Sequence, residues 1–329
     1  MGTLITGKLV VTRVYRDGVL SVGDTLGARE RSCWFGELPS SLPSLLPPSL
    51  LPVSERANPS RREDPERDVP ADAQIAPLPA TAPVLGVPLG LCDYEQVIDW
   101  MDGVVDGDQR AYLTAAAVHL VMVAQEDEQT RRAVLGADLA VPDGQPLVWA
   151  LRALGHGGAS RVYGPDLMLR YCERAAHTGR TMYLYGGRNQ GALVQLTLGL
   201  RRRFAGLRIV GGYSPPFREL SDDEERWVIE DINRSGADVV WVGTGQPKQE
   251  LWMADMRSRL RTPVLVGVGA AFDFHAGLVP QAPAWMQRGG LEWVYRLARE
   301  PRRLWRRYLR YNPRFVLGFA RQWARAQRG

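Results

Sequence analysis

Val239-Val-Trp-Val-Gly-Thr-Gly-Gln-Pro-Lys-Gln-Glu-Leu-Trp-Met-Ala-Asp-Met-Arg-Ser-Arg259 reads as a strand, a turn and a helix in succession. Val239 to Val242 shows no polar alternation, the pattern of a strand covered by helices on both faces. Gly243 and Gly245 keep the turn open, Pro247 suits a helix start, and helical spacing runs from Gln249 to Arg259.

The same order recurs on both sides. Short Val/Leu-rich runs at 84–87, 110–114, 181–185, 207–210 and 264–268 read as strands. Stretches 93–106, 117–125, 127–135, 145–154, 164–178, 192–203 and 221–235 read as helices. This alternation predicts the α/β class, a Rossmann-like and mostly parallel sheet with helices on both faces. The α/β domain is expected over 84–282, and a basic, aromatic helical appendage over 283–329.

Ahead of it, residues 1–38 read as a small extension. A hairpin is expected there, with Asp17-Gly18 turning between the β-prone runs 9–15 and 19–22. Prolines and charges crowd residues 39–83, which read as a flexible linker. The apolar stretch 38–53 is no membrane span, because Pro39, Pro43, Pro47, Pro48 and Pro52 interrupt it. No leader pattern opens the chain, so a location inside the cell is expected.

Of the 329 residues, 45% are hydrophobic and 23% charged, which argues against disorder of the whole chain. The net charge of +5 is unevenly spread: eleven arginines follow from Arg296 onward, against one acid, Glu300. Such a local excess points to phosphate or anionic lipid as partner. Cys33, Cys92 and Cys172 form no paired framework, and the four histidines stand at no metal-ligand spacing. No protein-held metal and no cofactor are expected.

Ligands of an open α/β sheet bind beyond the carboxyl ends of its strands. Gly186-Gly187 follows one strand and precedes a helix, where glycines admit a phosphate to the backbone or simply relieve crowding. Gly243, Gly245, Lys248, Gln249 and Glu250 follow another strand. Lys248 can meet a phosphate or sit as a solvated helix start, and Glu250 suits a first-turn acid. Asp273 can bind a ribose or sugar hydroxyl, or cap a helix. Asp143, in Pro142-Asp143-Gly144-Gln145, lies on a turn before a helix and can serve as cap or general base.

Taken in order, these motifs resemble the WecG/TagA/CpsF family of glycosyltransferases, family twenty-six. The resemblance runs from about Val84 to about Tyr308 and includes Arg161-Val-Tyr-Gly164-Pro-Asp166-Leu and Gly267-Val-Gly269. Its most specific pieces are Pro247-Lys248-Gln249-Glu250 and Leu291-Glu292-Trp293-Val-Tyr295-Arg296-Leu297. It implies a metal-independent, inverting transfer of a sugar from a UDP-sugar to a polyprenyl-diphosphate-linked acceptor. N-acetylmannosamine, its uronic acid and glucose are all sugars used in the family. Asp143 matches the proposed base and Gln249 an active-site glutamine; the glycine loops are expected around the nucleotide, and carboxyl-terminal arginines over a diphosphate. Two departures flank the presumed acceptor site. Thr114-Ala115-Ala116 stands where the family has Thr-x-Asn, keeping Thr114, and Gln145-Pro146 follows Gly144 where a second glycine is common.

Leu304, Tyr308, Tyr311, Phe315, Phe319 and Trp323 form one helical stripe, with Pro313 expected to kink it and arginines on the other faces. A stripe of this kind is often core packing, but aromatic residues and arginines together at a chain end are also the pattern of an interfacial helix on an anionic membrane surface, and that reading is favoured. A cytoplasmic protein held peripherally at the inner membrane face is therefore expected. With no Asp-x-Asp cluster in a suitable loop, the leaving diphosphate needs cationic side chains and helix amino termini. Arg302, Arg303, Arg306 and Arg307 are the candidates, with Arg303 and Arg306 expected to matter more for turnover than for folding.

Two other readings stay open at this point, and a third is disfavoured. The changes at Ala116 and Gln145-Pro146 allow a catalytically impaired, membrane-associated nucleotide-sugar binder. The glycine loops allow a Rossmann-type oxidoreductase, though no Gly-x-Gly-x-x-Gly follows the first strand. Nucleic acid is not expected as a partner, because the arginines belong to an aromatic helix and to no recognisable module.

Overall fold

The computed structural model describes residues 78–328 and, nearer the amino terminus, four short strands. The chain divides into two compact units, Met1–Pro48 and Ser49–Gly329. In the first, β1 (Gly2–Ile5) pairs antiparallel with β2 (Lys8–Val11), and β3 (Arg13–Tyr15) with β4 (Gly18–Leu20), Val14 facing Val19. The connection expected at Asp17 and the proline-rich linker as far as residue 77 lie outside the described residues.

The second unit opens with β5 (Thr81–Val84) and β6 (Val87–Gly90), antiparallel with Val84 opposite Val87. The run 84–87, read as a single strand, is thus the tip of a hairpin whose first strand lies within the stretch read as linker. The turn is Leu85-Gly86, with φ of 49° and 78°. Positive φ at both central residues matches the twist of the flanking strands and explains why the strand cannot run straight through.

The remainder follows the alternation. After α1 (Tyr94–Asp106) come β7 (Ala111–Ala116), α2 (Val118–Val123), α3 (Glu128–Leu135), β8 (Leu139–Pro142), α4 (Gln145–Ala153) and α5 (Gly164–Thr178). Then come β9 (Thr181–Gly186), α6 (Gln190–Arg203), β10 (Arg208–Tyr213), α7 (Asp222–Ser235), β11 (Val239–Gly243), α8 (Lys248–Met256) and β12 (Val264–Gly267). Four helices close the chain: α9 (Ala271–His275), α10 (Ala284–Arg288), α11 (Glu292–Arg299) and α12 (Pro301–Ala326). Strand β8 is an addition to the sequence reading; its four residues end in proline and merge with the motif that follows.

The six strands β7 to β12 form one sheet in the order β10-β9-β11-β12-β7-β8, every neighbour parallel. The pleat sorts the side chains. Met182, Leu184, Val239 and Trp241 face a core with α1, α5 and α6, while Tyr183, Tyr185, Val240 and Val242 face one with α7 and α8. A register shift between Ile209 and Gly211 bends β10, one of the two edges. A third cluster joins the β5–β6 hairpin to α2, α4 and Phe315 of α12. The appendage is therefore packed on the α/β unit along one apolar stripe. Pro313 lies inside α12.

Candidate active site

Asp143 stands just past the carboxyl end of β8. Its main-chain N–H donates to the carbonyl of Ala116 at 2.9 Å, which extends the β7–β8 ladder and fixes its position. The side chain does not cap its own helix: Gly144 is the N-cap of α4, without a side-chain bond. Instead Oδ1 accepts the N–H of Gly164, the first residue of α5, at 2.7 Å. One orphan donor of that helix is thereby satisfied, and a Cβ at Gly164 would stand in tight contact, 3.2 Å from that of Ala115.

Arg161 braces the turn. Its Nε donates to the main-chain carbonyl of Asp143 at 2.5 Å, and Nη2 pairs with Glu292 of α11 at 2.6 Å. Tyr163 donates its hydroxyl to the other Glu292 oxygen at 2.9 Å, and the Arg161 guanidinium lies over the Tyr163 ring. Burial pushes the Asp143 carboxyl up to about 6; Arg161, the Gly164 N–H and Arg296 oppose the shift, and Glu292 adds to it.

The turn opens into a cavity of about 690 Å³, lined at one end by Asp143, Gln145, Arg161, Glu292, Arg296 and Arg307. The departures at Gln145 and Pro146 both line it, whereas Ala116 is fully buried. Among the described residues neither Arg296 nor Arg307 lies within ion-pair distance of a carboxylate. The Nε of Arg307 is buried without a hydrogen-bond partner. Burial lowers the Arg307 guanidinium to about 10, with Arg296 and Arg303 adding to the shift. His119 shares the cavity 5.1 Å from the Tyr311 ring, and burial followed by Arg307 holds it down at about 3, uncharged near neutral pH.

Thr114 and Gln249 are placed otherwise. Both are fully buried and line neither this cavity nor its smaller neighbour beside Tyr94 and Asp166. They converge on Glu250, whose Oε1 accepts the Thr114 hydroxyl at 2.6 Å and the Gln249 amide at 2.8 Å. Gln249 also accepts the N–H of Gly269 at 2.9 Å. Burial raises Glu250 to about 7 against these hydrogen bonds, and its Oε2 has no partner. Glu250, read as a first-turn acid, does lie in the first turn of α8 but as a fully buried carboxyl tying three strand ends together.

The glycine loops have steric reasons of their own. A Cβ on Gly186 would stand 2.6 Å from the Gly243 backbone, and one on Gly243 would stand 2.6 Å from the Phe272 ring. Gly187 and Gly245 have φ of 91° and 85°, and nothing lies within 4 Å of a Cβ built on Gly245. Lys248 is exposed at the start of α8. Asp273 caps no helix; it pairs with Arg188 at 3.1 Å. Arg302, Arg303 and Arg306 are exposed, Arg303 against Glu300 and Arg306 over the Trp305 ring, so of the four candidate arginines only Arg307 lines the cavity. Arg161, Glu292, Arg296 and His119 join the site without having been singled out for it.

The family model of the glycosyl transferase WecG/TagA/CpsF family matches residues 82–329. The chain belongs to this family. Membership places this WecG/TagA/CpsF protein among glycosyltransferases of cell-surface polysaccharide synthesis. The match begins inside the β5–β6 hairpin and takes in the whole appendage, so both walls of the cavity belong to the shared fold. No helix of the described residues is long and apolar enough to cross a membrane, and no cluster of three or more His, Cys, Asp or Glu among them could hold a metal.

Proposed function

We propose that this protein transfers a sugar, with inversion, from a UDP-sugar to a hydroxyl of a polyprenyl-diphosphate-linked sugar at the inner face of the cell membrane. The observation that carries the reading is a carboxylate of raised proton affinity beside two unpaired guanidinium groups in one cavity. Asp143 keeps Oδ1 on the Gly164 N–H, leaving Oδ2 to take the proton of the acceptor hydroxyl. The hydroxyl oxygen bonds to the anomeric carbon as the bond from that carbon to the phosphate oxygen breaks, and UDP leaves.

Charge growing on UDP needs donors in place beforehand. The loops at Gly186-Gly187 and Gly243–Gly245, the amino termini of α6 and α8, and Lys248 form that set on the β9–β11 side of the sheet. Thr114 and Gln249 act through Glu250 to hold the strand ends between the two halves. The outer face of α12 carries Leu309 and Leu317, 68% and 60% exposed, among Arg302, Arg306, Arg310 and Arg321. Aliphatic side chains flanked by arginines suit a helix lying on anionic lipid.

The test is a screen of UDP-sugars with a short-chain lipid-diphosphate sugar acceptor, read by mass spectrometry. A glycosylated lipid and released UDP are expected. UDP binding without turnover on any acceptor would favour the binder motivated by Ala116 and Gln145-Pro146.

A further inference from the structure

The cavity changes character along its length. Beyond Asp143, Arg296 and Arg307 the α12 wall continues through Tyr308 and Tyr311 to Phe315, Val316, Phe319, Ala320 and Trp323. Val118 of α2 and Pro146, Trp149 and Ala150 of α4 form the opposite side. From Arg307 to Trp323 the helix covers about 24 Å at a rise of about 1.5 Å per residue. Among the described residues no charged side chain lines that length. Its rim stands open: Val316 is 63% exposed, Trp149 48% and Trp323 44%.

We infer that this length of the cavity binds the isoprenoid tail of the acceptor, gripping it inside the protein with its diphosphate on Arg296 and Arg307. The inference rests on the transferase reading for the head group. The order of chemistry along the cleft supplies the rest: a base, then two unpaired cations, then an apolar trough. A lipid-linked sugar has the matching order of hydroxyl, diphosphate and hydrocarbon. An isolated nucleotide offers nothing apolar to fill the trough, and a head group reaching in from the bilayer would leave it empty. Two guanidiniums without carboxylates are costly in a half-buried site until an anion arrives, and the apolar wall contributes only when hydrocarbon covers it. Because Val316 and Trp323 sit on the rim beside the outward Leu317, the tail can pass sideways from bilayer to trough.

Two soluble probes share one head group and differ only in tail: dimethylallyl diphosphate and farnesyl diphosphate. Their binding to the full chain is followed by quenching of Trp149, Trp293 and Trp323, all of which line the cavity, and by titration calorimetry. Farnesyl diphosphate is expected to bind at least about tenfold more tightly, since ten further carbons leave water. The rim variant V316D/A320D should erase that difference while dimethylallyl diphosphate binds as before; L317D, outside the cavity, should preserve it. Equal affinity for the two probes, or a chain-length effect lost in L317D and kept in V316D/A320D, overturns the inference. UDP affinity on the same preparation separates the two claims: normal UDP binding with equal probe affinities sinks the tail site alone, whereas absent UDP binding sinks the transferase reading.

Discussion

Arg161 holds Asp143 and Glu292 at once, its Nε on the main-chain carbonyl of one and its Nη2 on the carboxylate of the other. The turn that carries the proposed base and helix α11 of the appendage are joined through a single guanidinium. Both charged side chains of the pair are mostly covered, 15% and 17% exposed, so neither is easily left alone.

Replacing Glu292 by alanine should therefore loosen the appendage before it unfolds the core. Loss of one partner from a covered pair costs about 3 kcal/mol when fully buried, and less here. Expected are faster hydrogen exchange and proteolysis across residues 284–326 with a nearly unchanged core transition. Uniform protection across the chain would show that the pair fastens nothing.

Asp143→Asn separates catalysis from stability. Turnover should fall about 10²- to 10⁴-fold, the usual worth of a positioned base. The amide oxygen of the variant can still accept the Gly164 N–H, and the substitution removes a charge that burial disfavours. With a folded value of about 6 against an ordinary 3.8, ionised Asp143 opposes folding above that range, so the variant should gain on the order of 3 kcal/mol at pH 8. Denaturant titration and a turnover assay on one preparation check both halves.

Among the arginines, geometry shifts the expectation made from sequence. Arg307→Gln and Arg296→Gln should each cost about tenfold or more in turnover or lipid-diphosphate affinity, since their guanidiniums face the cavity unpaired. Arg303→Gln and Arg306→Gln, on exposed side chains, should cost less in turnover. Steady-state kinetics on the four variants decides the order.

Glu250 gives a pH signature. Its folded value, about 7, lies above the ordinary 4.5, so the folded state binds the proton more tightly than the unfolded chain. That stabilisation is complete below about pH 4.5 and declines as pH rises through 7. Unfolding free energy should drop between about pH 4.5 and 7 and level off above that, and Glu250→Gln should flatten that drop. An unchanged slope in the variant would place the proton elsewhere.

Membrane attachment has its own readout. L309E/L317E puts two carboxylates on the outer face of α12 without touching the cavity. Co-sedimentation with vesicles containing anionic lipid should fall at least about fivefold, with added salt weakening the unmodified protein as well.

The sheet was legible because Val239–Val242, Thr181–Tyr185 and Val264–Val268 are continuous apolar runs closed by glycine, a signal local to each strand. The β5–β6 hairpin was not, because Leu85 must adopt a backbone that leucine seldom takes, supported by long-range bonds to Gln125 and Gln322 and by packing against the core. Asp143 could be found as a carboxylate on a turn after Pro142. Its partners could not: Glu292 is 131 residues from Arg161, and no periodicity links two positions so distant. Glu250 deceived for the opposite reason. A glutamate in a helix's first turn has an ordinary local explanation, and only the arrival of β7 beside it reveals a fully buried carboxyl.

Gln322 gives the appendage a far fastening. Its amide donates to the carbonyl of Pro83 and its oxygen accepts the N–H of Leu85, while Arg310 and Arg314 grip Glu126 midway and Glu292 holds the near end. A rod moored at bow, waist and stern cannot swing away like a flap. Long hydrocarbon can instead be laid in broadside over the open rim at Val316 and Trp323, so cargo of very different lengths can share one berth.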